Sequence, residues 1–153
     1  MNSIQIHNVL TKYVKYFPVI YPTDLLPSTL IKPSRIAINF DKHHMVVSHW
    51  VAVCFSNSGF AEYFDSYGLP PVKYEIMAYL QRHLISWTFN RHRRQGLTSN
   101  VCGHCCGLCV LHRGRELSMT PFNTVLPSRY TCNDKKAMCV SHSVWSVPLA
   151  ASW

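Results

Sequence analysis

Apolar positions along this chain of 153 residues change their period from one segment to the next, and the changes mark the elements. Between residues 3 and 16, Ile4, Val9, Leu10, Tyr13 and Val14 fall near helical spacing, which predicts an opening helix with one face turned to a core. The stretch Tyr21-Pro22-Thr23-Asp24-Leu25-Leu26-Pro27 interrupts regular structure, because proline removes a backbone donor and restricts the residue before it. Ile36 to Phe40 is a short strand candidate. Two β-prone runs, His49 to Phe55 and Phe60 to Tyr67, then flank the polar turn Ser56-Asn57-Ser58-Gly59 and predict a hairpin. If Phe55 pairs with Gly59 across a three-residue loop, His49 lies directly opposite Asp65. Strand side chains alternate, so a slip of one residue puts these two on opposite faces unless a bulge restores them.

Residues 72 to 87 follow Pro70-Pro71 and carry Ile76, Tyr79, Leu80 and Leu84 at helical spacing, predicting a second helix that closes near Trp87. The basic run Arg91-His92-Arg93-Arg94 connects it to Gln95. From Cys102 to about His112 the residues are small or apolar, which predicts a buried helix starting at or beside Cys102. Gly103 and Gly107 lower helix propensity there, so packing must supply much of its stability. Short elements of both kinds, without internal repeats, indicate an α+β domain.

Length and a hydrophobic content of 48% fit one globular domain with a real core. No stretch approaches the roughly 18–20 apolar residues of a membrane span. Met1 to Gln5 lacks the charged and apolar regions of a signal peptide, so a soluble, intracellular protein without a membrane partner is expected. The cysteines number seven, an odd count, and four crowd into Cys102, Cys105, Cys106 and Cys109; reduced thiols fit this better than a disulfide framework. The balance of 15 basic against 7 acidic residues, a formal charge of +8, favours an anionic partner without identifying one.

An ordered set of His49, Asp65, Gln95 and Cys102 supplies the parts of a cysteine protease. A helix N-terminus and a neighbouring imidazolium can lower a thiol pKa by roughly one to five units, and Cys102 has the first by position and His49 as the candidate for the second. Asp65 would hold His49 through one ring nitrogen, leaving the other to face the thiol. The Gln95 amide and the Cys102 backbone N–H are the obvious donors to a tetrahedral oxyanion. Asp41 is the alternative acid if the hairpin register removes Asp65. Zinc on Cys102, His104, Cys105, Cys106, Cys109 and His112 has neither paired C-x-x-C nor finger spacing. Cys54, Cys105, Cys106 and Cys109 therefore read as packing residues, no metal is assigned, and His43, His44, His83, His92 and His142 read as surface or structural.

Several blocks together resemble the adenovirus-protease type of cysteine peptidase, particularly the proteases of Maverick or Polinton elements and adintovirus-like viruses. They are Tyr21 to Pro27, Asn39-Phe40-Asp41, Ser48-His49-Trp50-Val51-Ala52, Tyr63 to Pro71, Trp87-Thr88-Phe89-Asn90, Gln95 to Gly103, and Asn133-Asp134-Lys135. The resemblance implies an α+β fold distantly similar to papain, with a central twisted mixed sheet and a buried helix starting at the nucleophile. By carry-over, His49 is the base, Asp65 its orienting partner, Gln95 the oxyanion donor and Cys102 the nucleophile, with Trp50 walling the site and Gly103 beside it as substrate-facing positions. The implied substrates are viral or virus-like precursor proteins, or ubiquitin-like chains, cut by an endopeptidase at small, glycine-rich sites in a host nucleus or virion.

No cofactor is required for that chemistry, but the enzyme resembled is activated by DNA and a short viral peptide. Arg91, Arg93, Arg94, Lys135 and Lys136 are accordingly the candidate phosphate contacts, each equally readable as a solvated basic residue. The protease domain is expected over residues 1 to 136, with a divergent tail from 137 to 153 and a monomeric state. The competing expectations are a catalytically inactive relative and a basic DNA-binding or zinc-stabilised interaction module.

Overall fold

The computed structural model describes residues 5–8, 10, 18–46, 48–114, 126, 133–135 and 137–138. Five strands form one sheet in the order β1 (Pro18–Pro22), β2 (Ser34–Asn39), β3 (Trp50–Phe55), β4 (Phe60–Asp65) and β5 (Ser86–Phe89). The outer pairs β1·β2 and β4·β5 are parallel, and β2, β3 and β4 run antiparallel. Every residue of the central strand β3 is buried, which explains why Trp50-Val51-Ala52-Val53-Cys54-Phe55 is an unbroken apolar run rather than an alternating one.

One sheet face, carrying Ile36, Ile38, Val51, Val53, Ala61 and Tyr63, packs on Ile76, Tyr79 and Leu80 of α1 (Tyr74–His83). The other face carries Ala37, Trp50, Ala52 and Phe64, which pack on Cys105, Cys106, Cys109 and Val110 of α2 (Cys102–Gly114). Ile6 and Leu10, from the helical residues 5–8 and 10, complete that second layer. The rest of the expected opening helix lies outside the described residues. Removal of a fully buried Ile or Leu side chain from water is worth about 1.5–3 kcal/mol, so the two apolar layers hold the helices against the sheet. The α+β class and the mixed sheet agree with the sequence reading. Among the described residues, no helix is long and apolar enough to cross a membrane.

The hairpin forms, in a different register. Phe55 pairs with Ala61 and Val51 with Asp65, and the Ser56 N–H donates to the Phe60 carbonyl at 2.9 Å. The loop is thus Asn57-Ser58-Gly59, one position later than expected. The cause is Gly59, whose φ of 81° is the left-handed conformation that closes a three-residue hairpin loop and that glycine adopts without strain. The displacement preserves parity, so His49 stays on the same side as Asp65 and becomes its diagonal neighbour.

The second helix also differs from expectation, ending at His83 rather than near Trp87. Leu84 is already extended, with φ −126° and ψ 147°, and the Ile85 N–H turns to the Gly59 carbonyl at 2.9 Å. Residues 86 to 89 then alternate between exposed and half-buried and pair with β4, so sheet pairing takes the segment that helical periodicity would have continued.

Gly68 has a φ of 74°, and a Cβ built there would stand 2.8 Å from the His92 carbonyl carbon and 2.9 Å from the Arg93 nitrogen. Gly68→Ala is therefore expected to destabilise the protein by at least about 2 kcal/mol, from the left-handed backbone and the close backbone approach. Urea unfolding of the variant against the wild type measures it.

Candidate active site

His49 immediately precedes β3, Asp65 ends β4 and Cys102 opens α2. The sheet edge and the helix N-terminus thus meet at one point. The His49 Nε2 donates to Asp65 Oδ1 at 3.1 Å, which leaves Nδ1 for the Cys102 sulfur, a hydrogen-bond partner of the ring. Asp65 is 1% exposed and its Oδ1 also accepts the Tyr67 backbone N–H at 2.7 Å. Asn90 fixes the same residue from the neighbouring strand end. Its Oδ1 accepts the Asp65 N–H at 2.8 Å, and its Nδ2 donates to the Asp65 carbonyl at 2.6 Å. The His49 ring lies between the edge-on ring of Phe40, at 4.9 Å, and the stacked ring of Tyr67, at 5.1 Å and 30°. Asp41, the alternative acid, instead accepts the Ser48 N–H at 2.7 Å and closes the turn that leads into His49.

Burial opposes the charged imidazole, but the hydrogen bonds and charges of Asp65 and Cys102 outweigh it and raise His49 to about 9. Burial likewise pushes the Cys102 thiol up; the His49 ring and the backbone N–H groups of Trp50 and Gly103 overcome it and hold the thiol below its ordinary value. The two shifts, down for the thiol and up for the ring, both favour the thiolate–imidazolium form of the pair. The other described cysteines, Cys54, Cys105, Cys106 and Cys109, are free and buried. Burial raises the Cys105, Cys106 and Cys109 thiols, helped by the charges of neighbouring sulfurs and, first for Cys109, by its hydrogen bond with Cys54. Cys106 donates to the Trp50 carbonyl at 3.0 Å.

The sign of the pH dependence follows from the two shifts. The charged His49 contributes fully below 6.5 and loses its contribution as pH rises through about 9, while the Cys102 thiolate is present above its lowered value and lost on acidification below it. Alkylation of Cys102 by iodoacetamide is expected to begin below the ordinary thiol range in the wild type. In His49→Ala its midpoint should move up to 9.0 or beyond, as read by mass spectrometry across a pH series.

Gln95 is fully buried. Its Oε1 accepts the Ser66 hydroxyl at 2.6 Å and its Nε2 donates to the Ser99 carbonyl at 2.9 Å. The chain just after it is strapped from far away in sequence, the Gly96 N–H donating to the Asp134 carboxylate at 3.2 Å. Asn133 Nδ2 donates to the Arg94 carbonyl at 2.9 Å. The block Asn133-Asp134-Lys135 thus holds the glutamine loop in place, a role that sequence spacing did not assign.

Three expected roles change. Trp50 is 1% exposed and packs in the core beside α2, so it contributes its backbone to the site and not a cleft wall; strand alternation turns its ring to the helix side. Gly103 is buried too and acts through its N–H on the Cys102 sulfur. Arg94 is 4% exposed and its Nη1 donates to the Leu126 carbonyl at 2.8 Å, which removes it from any phosphate-binding surface. Arg91 and Lys135 are exposed and Arg93 is half-buried, whereas Lys136 lies outside the described residues. Phe40, Tyr67 and Asn90 are the site residues that sequence reasoning missed as such. Their only signal was membership in the short blocks around Asp41, Asp65 and Trp87.

By sequence, no protein-family profile and no curated protein matches the chain. By structure it is similar to the ASFV pS273R protease, with a TM-score of 0.64 and 16% identity over 96% of this chain and 67% of that one. A second structure of the same viral protease aligns with a TM-score of 0.53 and 16% identity, over 97% of this chain and 54% of that one. The SUMO protease Ulp1, in a form with its catalytic cysteine oxidised to a sulfinic acid, aligns with a TM-score of 0.51 and 13% identity over 94% of this chain and 76% of that one. The chain therefore spans about half to three quarters of the length of these structures, and carries the α+β fold shared by cysteine proteases of the SUMO-protease and adenovirus-protease type.

Proposed function

We propose that this chain is a cysteine endopeptidase in which Cys102 is the nucleophile, His49 the general acid and base, and Asp65 the group that orients the ring. The observation that carries the reading is the unbroken line from the Asp65 carboxylate through His49 Nε2, at 3.1 Å, to the Cys102 sulfur. The thiolate attacks the scissile carbonyl, forming a carbon–sulfur bond and a tetrahedral oxyanion. The His49 imidazolium gives its proton to the leaving amine, and the neutral ring then takes a proton from the water that hydrolyses the thioester. The backbone N–H of Cys102, at the start of a helix of 13 residues, is aimed by the same macrodipole that favours negative charge there.

The substrates in this reading are protein precursors of a virus or virus-like element, Maverick- and adintovirus-like, or ubiquitin-like chains, cut after small glycine-rich sequences. Support comes from the likeness to a viral protease and a SUMO protease. DNA or a peptide as activator is part of the same proposal, with Arg91, Arg93 and Lys135 left as phosphate contacts and a charge of +8 behind them.

A peptide ending in Gly-Gly with a C-terminal vinyl sulfone tests the chemistry without knowledge of the natural substrate. One adduct per chain, mapped to Cys102 and formed roughly 10²-fold faster than on any other cysteine, is the expected result. Labelling spread over several cysteines, or absent from Cys102, overturns the proposal.

A further inference from the structure

Sequence spacing reads His43 and His44 as surface or structural, but the fold gives them a common partner. They occupy the two central positions of the turn Lys42–Met45, in which the Met45 N–H donates to the Lys42 carbonyl at 2.9 Å. Consecutive side chains of a strand point apart; in this turn the two imidazoles meet edge to face, with centroids 5.1 Å apart and planes at 81°. Asp24, 19 residues before His43, joins them from the single 3-10 turn Thr23–Leu25. Its Oδ2 lies 2.7 Å from His43 Nδ1, and its Oδ1 accepts the His43 backbone N–H at 3.0 Å. One ligand atom from each of the three side chains falls within 4.8 Å of the other two.

Both sides of this arrangement are anchored. Thr23 Oγ1 donates to the Phe40 carbonyl at 3.1 Å, and Asp41 Oδ2 accepts the Ser48 N–H at 2.7 Å. The His43 and Asp24 side chains are 57% and 22% exposed, so a hydrated ion can reach them and keep water on its remaining positions. Two imidazoles and a carboxylate are donors that zinc takes at about 2.0–2.2 Å, whereas calcium and magnesium favour oxygen shells. At those lengths two ligand atoms of one tetrahedral ion stand roughly 3.3 Å apart. The Asp24 Oδ2 and His43 Nδ1 need open by only about half an ångström to admit it, with the ring proton carried on Nε2. His44 is exposed, so its ring can turn to the same point at little cost in packing.

We propose that Asp24, His43 and His44 form a binding site for a zinc-like divalent ion, which clamps the Thr23–Leu25 turn to the loop between β2 and β3. Its third ligand precedes β2 while the two histidines follow it, which is why local spacing does not reveal the set. The inference does not depend on the peptidase reading, because none of its ligands belongs to the line from Asp65 to Cys102. It does touch that line through the backbone. The clamped loop joins Phe40 to His49, and the Phe40 N–H donates to the His49 carbonyl at 2.9 Å.

The test titrates Zn²⁺ calorimetrically into the full chain carrying Cys102→Ala, which removes the thiol of lowered pKa that would compete for the ion. The same chain with His44→Ala or Asp24→Asn added is titrated beside it. The parent is expected to bind Zn²⁺ at a site that each added substitution abolishes or weakens by at least about tenfold, since loss of even an outer-shell partner costs about 10–100-fold. His44→Ala removes an exposed ring and keeps the Asp24–His43 contacts, so its thermal midpoint without metal should stay within about 2 °C of the parent. Excess Zn²⁺ should raise the midpoint of the parent and leave that of the variant where it was.

A parent that binds no Zn²⁺ tighter than about 1 mM overturns the inference. So does a loss of less than about tenfold in His44→Ala, which would place the ion on other residues such as the cysteines. If His44→Ala melts early without metal, His44→Gln takes its place and is read by the same two outcomes.

Discussion

Cys102→Ala is expected to lower hydrolysis of a Gly-Gly peptide amide by at least about 10⁴-fold, with the urea unfolding midpoint shifted little. The size of the effect follows from the environment of the remaining sulfurs. Cys105 and Cys106 lie within one turn of the nucleophile, but both are 0% exposed and burial holds their thiols protonated. Neither has access to His49 as a proton acceptor, so neither can substitute. Alanine also leaves the first turn of α2 intact, because helix formation favours it over cysteine. Residual cleavage within about tenfold of wild type would show that the sulfur at the helix start is not the nucleophile.

The second large effect is expected at Asp65. Its carboxylate accepts from both His49, at 3.1 Å, and the Tyr67 backbone, at 2.7 Å, so one buried oxygen orders the base and the ring stacked on it. Asp65→Asn preserves shape but replaces an acceptor that stabilises imidazolium with a neutral amide. A loss of about 10³–10⁴-fold in kcat is expected, the magnitude associated with a wrongly held histidine tautomer. The pH series separates this from unfolding. Without the carboxylate, His49 should fall from about 9 towards or below 6.5, and the iodoacetamide midpoint of Cys102 should rise. An unchanged alkylation profile would mean that Asp41 or another acid carries the orienting role.

The meeting of His49 with Asp65 and Cys102 was legible in the sequence from two local signals, beside the resemblance. A period of two fixes which residues of a hairpin share a side, and that parity survived a displacement in which Val51, not His49, came to face Asp65. A run of small and apolar residues fixed the start of α2 at Cys102. What was not legible depends on long-range packing. The Arg91-His92-Arg93-Arg94 run looks uniformly solvated, yet Arg94 turns inward to the Leu126 carbonyl, and no local pattern separates it from Arg91. Trp50 adjoins the histidine in sequence, but strand alternation sends its ring to the α2 layer. The α1 periodicity continued on paper through Leu84 while the hairpin loop at Gly59 captured the following backbone. The surroundings of Gln95 required knowing that Ser66 and Ser99 converge on one amide.

The strap from Asn133 and Asp134 onto Arg94 and Gly96 has a consequence for where the working unit can be cut. Shortening the chain anywhere between the end of α2 and Asn133 would spare all three members of the proton-transfer line and still unmoor the glutamine behind them. In the peptidase proposed above, such a fragment would keep a reactive sulfur while turning over poorly, so the smallest competent unit would reach at least as far as Asp134.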